Sequence, residues 1–211
     1  MNKVKIYCVT NEKVKHLEKT GLTLVGVGKK SFPRNYINCT KGKNIQYKEK
    51  NYSELVFHYW FWKNELKKFN SNTWIGFCQK RRFWVKTKIK IRNVKKLKEN
   101  LIYKPDPRWK NFESIICKPI RVDNPNKMKI IKRGWKNLAK DPSIFFDNSK
   151  QTIKLHFDMH HGFNVLDKAI DKLDPKDRNL FRKFVNENIS FNPHIMFISK
   201  KKIINKWFKA L

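Results

Sequence analysis

The segment from residue 44 to residue 84 constrains the fold more than any other part of the sequence. It reads NIQYKEKNYSELVFHYWFWKNEL and, after a short polar break, NTWIGFCQKRRFW. Apolar residues recur at helical spacing over residues 51–69, which predicts a helix buried on more than one side. Residues 73–78 form a short, largely apolar run that is typical of a buried strand. This predicted strand leads directly into three cations, Lys80, Arg81 and Arg82.

The opening of the chain predicts an α/β fold. Residues 4–9 and 22–27 are apolar runs that indicate strands, and the polar residues 11–20 between them indicate a helix. Strand, helix, strand is the start of a fold with a mainly parallel sheet. Gly26 and Gly28 close the second strand. They either form a turn, which is the favoured interpretation, or let a ligand approach the backbone.

The three cations after the predicted strand at residues 73–78 predict an anion site. Ligands of open α/β sheets bind beyond the carboxyl ends of the strands, where these residues are expected to lie. The arginine side chain is a rigid fork that matches phosphate oxygens, so two arginines beside a lysine suit a diphosphate. The alternative is a solvated basic turn.

Composition limits the classes of function. The 211 residues include 49 Lys and Arg against 17 Asp and Glu, a net charge of +32 that attracts phosphorylated ligands, nucleic acid or anionic lipid. Alternatively, many lysines are simply solvated.

Hydrophobic residues make up 40%, enough for a real core. The four cysteines form no CxxC pair, which indicates neither a disulfide framework nor a zinc knuckle and fits a reducing compartment.

No apolar signal core opens the chain, and no run approaches the ~20 apolar residues of a membrane span. A cytoplasmic protein is therefore expected, with peripheral contact with the inner membrane left open. The amphipathic tail KKKIINKWFKAL either packs onto the domain, the favoured interpretation, or rests on an anionic bilayer. No repeat or clear linker interrupts the sequence, so a single domain over residues 1–211 is predicted.

A histidine-rich stretch at residues 152–173 is the other candidate for chemistry. It holds His156, Asp158, His160 and His161 within six positions. Histidines at i and i+4 can share a metal ion from one helix face, so a divalent metal is one interpretation. A polar site for a sugar or an acceptor is the other.

These segments resemble a bacterial galactofuranosyltransferase family of the DUF4422 type, which takes part in capsule and O-antigen synthesis. The resemblance runs from VKIYCVT and VGVGKK through the central segment to ESIICKPI, MHHGFNVLDKAI and NPHIMFISKKKIINKWF. It implies a GT-A-like α/β fold, with helices flanking a mainly parallel central sheet. It also implies transfer of a sugar, galactofuranose by resemblance, from a UDP-sugar donor. The implied acceptor is a lipid-linked or growing surface glycan of capsule or lipopolysaccharide.

Candidate site residues follow from the resemblance and from the strand-end argument together. Asp158 is the first choice, and Glu54 the second, for the base that deprotonates the acceptor hydroxyl. Arg81 and Arg82 are expected to stabilise the charge on the departing UDP. The donor-binding set is Cys8, Val9, Gly26, Gly28, Lys80, Arg81 and Arg82. The set for the acceptor or the sugar is Trp62, Lys63, His160 and His161.

The sequence departs from the family pattern at three positions. Gln79 and Lys80 stand where His-Tyr is usual, and Ser114 stands near a usual Asp. No Asp-x-Asp occurs to hold a donor through a divalent ion. No metal ligand is therefore assigned: either the strand-end cations replace the ion, or His and Asp side chains bind it.

Two other functions stay open. Charge and interleaved aromatic residues favour a basic nucleic-acid-binding protein or a nuclease. No known nucleic-acid motif appears, so no specific nucleic acid is expected as a partner. An inactive relative that only binds glycan is the third possibility.

Overall fold

The computed structural model describes residues 4–87 and 93–209. They form two units. The first contains the described residues up to Cys117 together with those from Ile195 onward, and the second spans Lys118–His194. The single domain over residues 1–211 stays a prediction. In the described ranges, no helix has both the length and the apolar character needed to cross a bilayer.

The strands and helices of the described residues are numbered in chain order. The strands are β1 Lys5–Thr10, β2 Thr23–Gly26, β3 Ile37–Asn38, β4 Trp74–Gln79, β5 Ser114–Ile116, β6 Ile120–Arg121, β7 Ser190–Phe191 and β8 Phe197–Lys200. The α-helices are α1 Glu49–Tyr52, α2 Leu55–Asn64, α3 Val94–Asn100, α4 Lys127–Lys140, α5 Ile153–His161, α6 Val165–Ile170, α7 Pro175–Glu187 and α8 Lys201–Lys209.

The first unit contains a six-stranded sheet in the order β3-β2-β1-β4-β8-β5. Strand β1 pairs in parallel with β2 on one side and with β4 on the other, and β2 pairs in parallel with β3. Strand β8 runs antiparallel to both of its neighbours. The prediction of an α/β fold with a mainly parallel central sheet is therefore confirmed.

The predicted helix over residues 11–20 is wrong. In that range the chain has only a short 3-10 turn, Leu17–Lys19. The hydroxyl of Thr20 donates to the carbonyl of Leu17 at 2.6 Å, and the hydroxyl of Thr10 donates to the carbonyl of Glu12 at 2.7 Å. These side-chain bonds satisfy backbone groups locally, and so they compete with a regular helix.

The aromatic segment packs onto one face of the sheet. Phe57 and Phe61 of α2 are buried and lie 5.3 and 5.0 Å, between ring centroids, from Tyr7 of β1. His58 and Trp60 are buried as well, which confirms that the helix is buried on more than one side. The predicted continuous helix over residues 51–69 is wrong. It is broken between α1 and α2 at Ser53, whose φ of 47° does not fit a right-handed helix.

The tail packs against the same face of the sheet. In α8, Ile204 and Phe208 are buried in the core cluster that contains Phe57 and Phe61. The ring of Phe208 stacks on Trp62 at 6.3 Å between centroids. This confirms the interpretation that the amphipathic tail packs onto the domain, because Ile204 and Phe208 are covered by protein, whereas Trp207 is 38% exposed.

The second unit is mainly helical, with a two-stranded ribbon of β6 and β7. Ile153, Ile170 and Val185 form one core cluster in this unit. A second cluster joins Ile130 of α4 to Leu155 and Met159 of α5. The segment ESIICKPI at residues 113–120 does not form one strand: β5 ends at Ile116, and Ile120 belongs to β6 in the second unit. Pro119 lies between them and cannot donate to a strand ladder.

Candidate functional site

A cleft of about 300 Å³ lies at the carboxyl ends of β1, β2 and β4. The strand order reverses at β1, because β2 lies on one side of it and β4 on the other. Val9 and Gln79 are register partners, so β1 and β4 end side by side. Ligands of open α/β sheets bind at such a switch point. The residues that line the cleft are Val9, Thr10, Asn11, Val27, Ser53, Glu54, Gln79, Lys80, Arg81 and Arg82.

The predicted cations stand on a tight turn after β4. The backbone amides of Gln79 and Arg82 donate to each other's carbonyls, at 3.3 and 3.2 Å. Lys80 donates to the Asn11 side chain at 2.8 Å and forms an ion pair with Glu12 at 2.5 Å. The hydrogen bond and charge of Lys80 lower the pKa of Glu12 below its usual value. The charge of Lys80 is therefore balanced by a carboxylate.

The two arginines of the turn have no such balance. Arg82 donates to the side-chain carbonyl of Gln79 at 3.3 Å. Within the described part of the chain, Arg81 makes no hydrogen bond or ion pair, and no carboxylate pairs with Arg82. Both side chains are exposed at the cleft. The cleft thus presents two guanidinium groups with unused donors, which is the arrangement that an oxyanion or a diphosphate needs.

Glu54 is the one carboxylate among the described residues that line this cleft. Its Oε1 accepts a hydrogen bond from the Gln79 amide at 3.1 Å, and its Oε2 accepts one from the Ser53 hydroxyl at 3.0 Å. Gln79 also contacts Arg82, so a chain of hydrogen bonds joins the arginine to the carboxylate. A carboxylate and a pair of guanidinium groups thus share one cavity.

Three other predicted donor residues have packing roles in the structure. Cys8 is fully buried, and its neighbours along the strand, Tyr7 and Val9, belong to the core on the opposite face of the sheet. A Cβ at Gly26 would lie 2.4 Å from the ring of Phe32. Gly28 has a φ of 92°, and its carbonyl accepts from Gln46 at 2.8 Å, as the turn interpretation requires. Their role in donor binding stays a prediction.

Trp62 and Lys63 lie towards the end of α2 and do not line the cleft. The ammonium group of Lys63 lies 3.2 Å from the centroid of the Trp62 ring, which also contacts the rings of Tyr59 and Phe208. The structure thus brings these two predicted residues to each other. Their proposed role at the acceptor stays a prediction.

Asp158, His160 and His161 all belong to α5 in the second unit. Asp158 is buried, and its Oδ2 forms an ion pair with Lys154 at 2.6 Å. His160 is exposed, and its Nε2 lies 2.7 Å from the Lys129 ammonium. Partial desolvation of the ring, together with the charges of Lys129 and Arg133, lowers the pKa of His160. A buried, paired carboxylate is poorly placed to accept a proton from a substrate, so the geometry favours Glu54 as the base.

The histidines of α5 are also the candidate metal ligands. The rings of His156 and His160 lie 4.5 Å apart, as the i and i+4 spacing predicts. Across residues 4–87 and 93–209, however, no three His, Cys, Asp or Glu side chains come together in a set that could hold a metal ion. The interpretation that His and Asp ligands share an ion therefore gains no support from these residues.

Sequence reasoning missed three polar residues of the cleft: Thr10, Asn11 and Ser53. The first two directly follow a predicted strand, so the rule that ligands bind beyond strand ends could have found them. Ser53 had no such signal, because its place depends on the break between two helices.

A family model described as a domain of unknown function, DUF4422, matches residues 5–211. The chain belongs to the DUF4422 family. Among curated proteins, none matches this chain.

One solved structure similar to this DUF4422 chain is the apo form of WbbM, a bifunctional glycosyltransferase. The two are 19% identical, with a TM-score of 0.56 over 99% of this chain and 35% of that protein. The chain thus spans about a third of the length of the glycosyltransferase it matches. At this identity the similarity shows a shared fold.

Proposed function

We propose that this DUF4422 protein is a glycosyltransferase and that its cleft binds the diphosphate of a nucleotide-sugar donor. The observation that carries the proposal is the pair of unbalanced guanidinium groups, Arg81 and Arg82, beside Glu54 at the switch point of the sheet. The fold shared with part of a glycosyltransferase supports it.

The proposed reaction is a direct displacement at the anomeric carbon of the sugar. The bond from that carbon to the diphosphate breaks, and its electron pair leaves with the nucleoside diphosphate. Arg81 and Arg82 stabilise the negative charge that develops on the leaving group. The acceptor hydroxyl oxygen forms the new glycosidic bond, and Glu54 takes its proton. Gln79 and Ser53 hold the two oxygens of Glu54 and so orient it.

The finer assignments rest on the sequence motifs that resemble galactofuranosyltransferases. We propose UDP-galactofuranose as the donor and a lipid-linked or growing glycan of capsule or lipopolysaccharide as the acceptor. A cytoplasmic location, with peripheral contact with the inner membrane, goes with such an acceptor.

Binding of UDP tests the diphosphate site directly. Charge-assisted hydrogen bonds contribute ~1.5–3 kcal/mol each, so the Arg81→Ala/Arg82→Ala double variant should bind UDP roughly 100-fold or more weakly by calorimetry. The matched control is Lys95→Gln/Lys98→Gln, which removes two exposed cations of α3. The control should bind UDP as the wild type does. Unchanged affinity in the double arginine variant would contradict the proposal.

Turnover separates the base from the phosphate site. With UDP-galactofuranose and a synthetic lipid-linked acceptor, Glu54→Gln should lower kcat by ~10²–10⁴-fold, because a positioned base contributes that much. Its UDP affinity should stay near that of the wild type. Full activity in Glu54→Gln would remove Glu54 as the base. A protein that binds UDP tightly and transfers none of several UDP-sugars would be the inactive relative instead.

A further inference from the structure

Helix α4 carries an exposed apolar stripe that no described residue covers. Met128, Ile131 and Trp135 are 55%, 45% and 58% exposed. They lie at positions i, i+3 and i+7, so they share one face of the helix. Three large apolar side chains in a row on a helix surface indicate a contact site.

The charge of α4 is of one sign. Its 14 residues, KMKIIKRGWKNLAK, contain six cations and no acid. The ammonium group of Lys136 lies 5.5 Å from the centroid of the Trp135 ring, so cation and stripe are in contact. Lys129 has an imidazole, His160, rather than a carboxylate as its partner. The stripe is therefore bordered by uncompensated positive charge.

The stripe is held in place by a second, buried face of the helix. Ile130 and Gly134 are buried, and a Cβ at Gly134 would lie 3.3 Å from Met159 and 3.5 Å from Leu155 of α5. This close approach of α4 to α5 packs one side of the helix and leaves the stripe outside. The helix thus needs no folding step to present its outer face.

We infer that the outer face of α4 docks on an anionic phospholipid bilayer. Trp135, Ile131 and Met128 enter the boundary between headgroups and acyl chains, and Lys132 and Lys136 contact lipid phosphates. This is the pattern of an interfacial amphipathic helix, with tryptophan and apolar side chains beside lysines. The inference does not rest on the proposed glycosyl transfer, although a lipid-linked acceptor would be found at the same surface.

Other features of the chain fit a bilayer less well. Helix α8 is also amphipathic, but Ile204 and Phe208 are buried in the first unit. Helix α7 exposes Leu180, Phe181 and Phe184, but it contains acidic as well as basic residues. A second copy of α4 is disfavoured as the occupant, since two helices with six cations each repel one another.

Flotation with lipid vesicles tests the inference on the full chain. The vesicles are phosphatidylcholine alone, or phosphatidylglycerol and phosphatidylcholine in a one-to-two ratio. The wild type should bind the anionic vesicles at physiological ionic strength and bind the neutral ones at least tenfold more weakly. Met128→Gln/Ile131→Gln/Trp135→Gln should lose binding to anionic vesicles by roughly tenfold or more. Lys132→Gln/Lys136→Gln should do the same.

Two matched controls separate membrane binding by this face from nonspecific hydrophobic binding and from the effect of positive charge in general. Leu180→Gln/Phe181→Gln/Phe184→Gln removes the exposed apolar residues of α7, and Lys95→Gln/Lys98→Gln removes two cations of α3. Both should bind anionic vesicles within about twofold of the wild type. Circular dichroism spectra and melting curves show whether each variant is folded.

Four results would overturn the inference. One is equal binding of the α4 variants and the wild type to anionic vesicles. Another is a wild type that binds neither vesicle type, and a third is a wild type that binds both equally well. The last is a wild type that sediments as a dimer while the α4 stripe variant sediments as a monomer. This would assign the face to a second copy of the chain.

Discussion

His58 is a titratable group buried among aromatic side chains. Its side chain is 1% exposed, and its ring centroid lies 4.4 Å from that of Phe77. Its Nδ1 accepts a hydrogen bond from the Trp207 indole at 3.4 Å. Burial lowers the pKa of His58 from 6.5 to about 3. The imidazole is thus neutral in the folded protein, and it is a core residue rather than a catalytic one.

This burial makes the stability of the protein depend on pH. Below pH 6.5 the unfolded chain protonates His58, whereas the folded chain stays neutral until about pH 3. The unfolded state therefore binds more protons in this window, and the free energy of unfolding falls as the pH falls. One such group contributes a slope of up to ~1.4 kcal/mol per pH unit.

His58→Phe should remove that contribution, because phenylalanine does not titrate. Urea unfolding at several pH values between 6.5 and 4 should show a shallower loss of stability in this variant. Exposed His16→Gln is the control and should keep the wild-type slope. Parallel curves for His58→Phe and the wild type would show that His58 is not buried as described.

The apolar side of the amphipathic helix α8 packs against the rest of the first unit. Lys202, Lys206 and Lys209 are exposed, while Ile204 and Phe208 are 1% and 0% exposed. The stripe packs against the aromatic residues of α2 and β4, and Phe208 lies 6.1 Å from Phe61 between ring centroids. The helix belongs to the core of the first unit.

Truncating the buried residues of α8 should therefore destabilise the protein. Ile204→Ala and Phe208→Ala should each lower the free energy of unfolding by ~2–5 kcal/mol, through lost apolar contacts and a cavity. Lys206→Ala, on the exposed face, should change it by about 0.5 kcal/mol or less. Chemical denaturation measures all three. A Phe208→Ala variant as stable as Lys206→Ala would mean that the tail does not pack on the sheet.

The whole molecule carries a net charge of +32, with 49 basic and 17 acidic residues. Acids are too few to pair with most of the cations, so like charges repel across the folded surface. Such repulsion destabilises the compact state and is screened by salt. It is also the property that supports the alternative of a nucleic-acid-binding protein.

Stability should consequently rise with ionic strength. The melting temperature should increase as sodium chloride is raised from low to physiological concentration, since screening weakens the repulsion more in the compact state. Arg81→Ala/Arg82→Ala should show nearly the same increase, which separates general screening from anion binding in the cleft. A melting temperature that is flat or falls with salt would contradict this account of the charge.

Part of the candidate site could be predicted without coordinates. The apolar run of β4 and the cations after it are local features, and parallel strands expose their carboxyl ends at one edge of a sheet. Lys80, Arg81 and Arg82 consequently lie at the cleft, as expected. The sequence places Glu54 second to Asp158 as the candidate base. Its contact with Gln79, 25 positions away in the sequence, depends on how α2 packs on β4.

The sequence by itself determined the α/β class, the buried strands β1, β2 and β4 and the sign of the charge, because each depends on residue type and short-range periodicity. Only the tertiary structure decided that Lys80 is neutralised by Glu12, that Asp158 is buried against Lys154, and that α8 is covered while α4 is not. The reason is physical. The role of a charge or an apolar stripe depends on the group that it contacts. Packing between segments far apart in the chain decides which group that is.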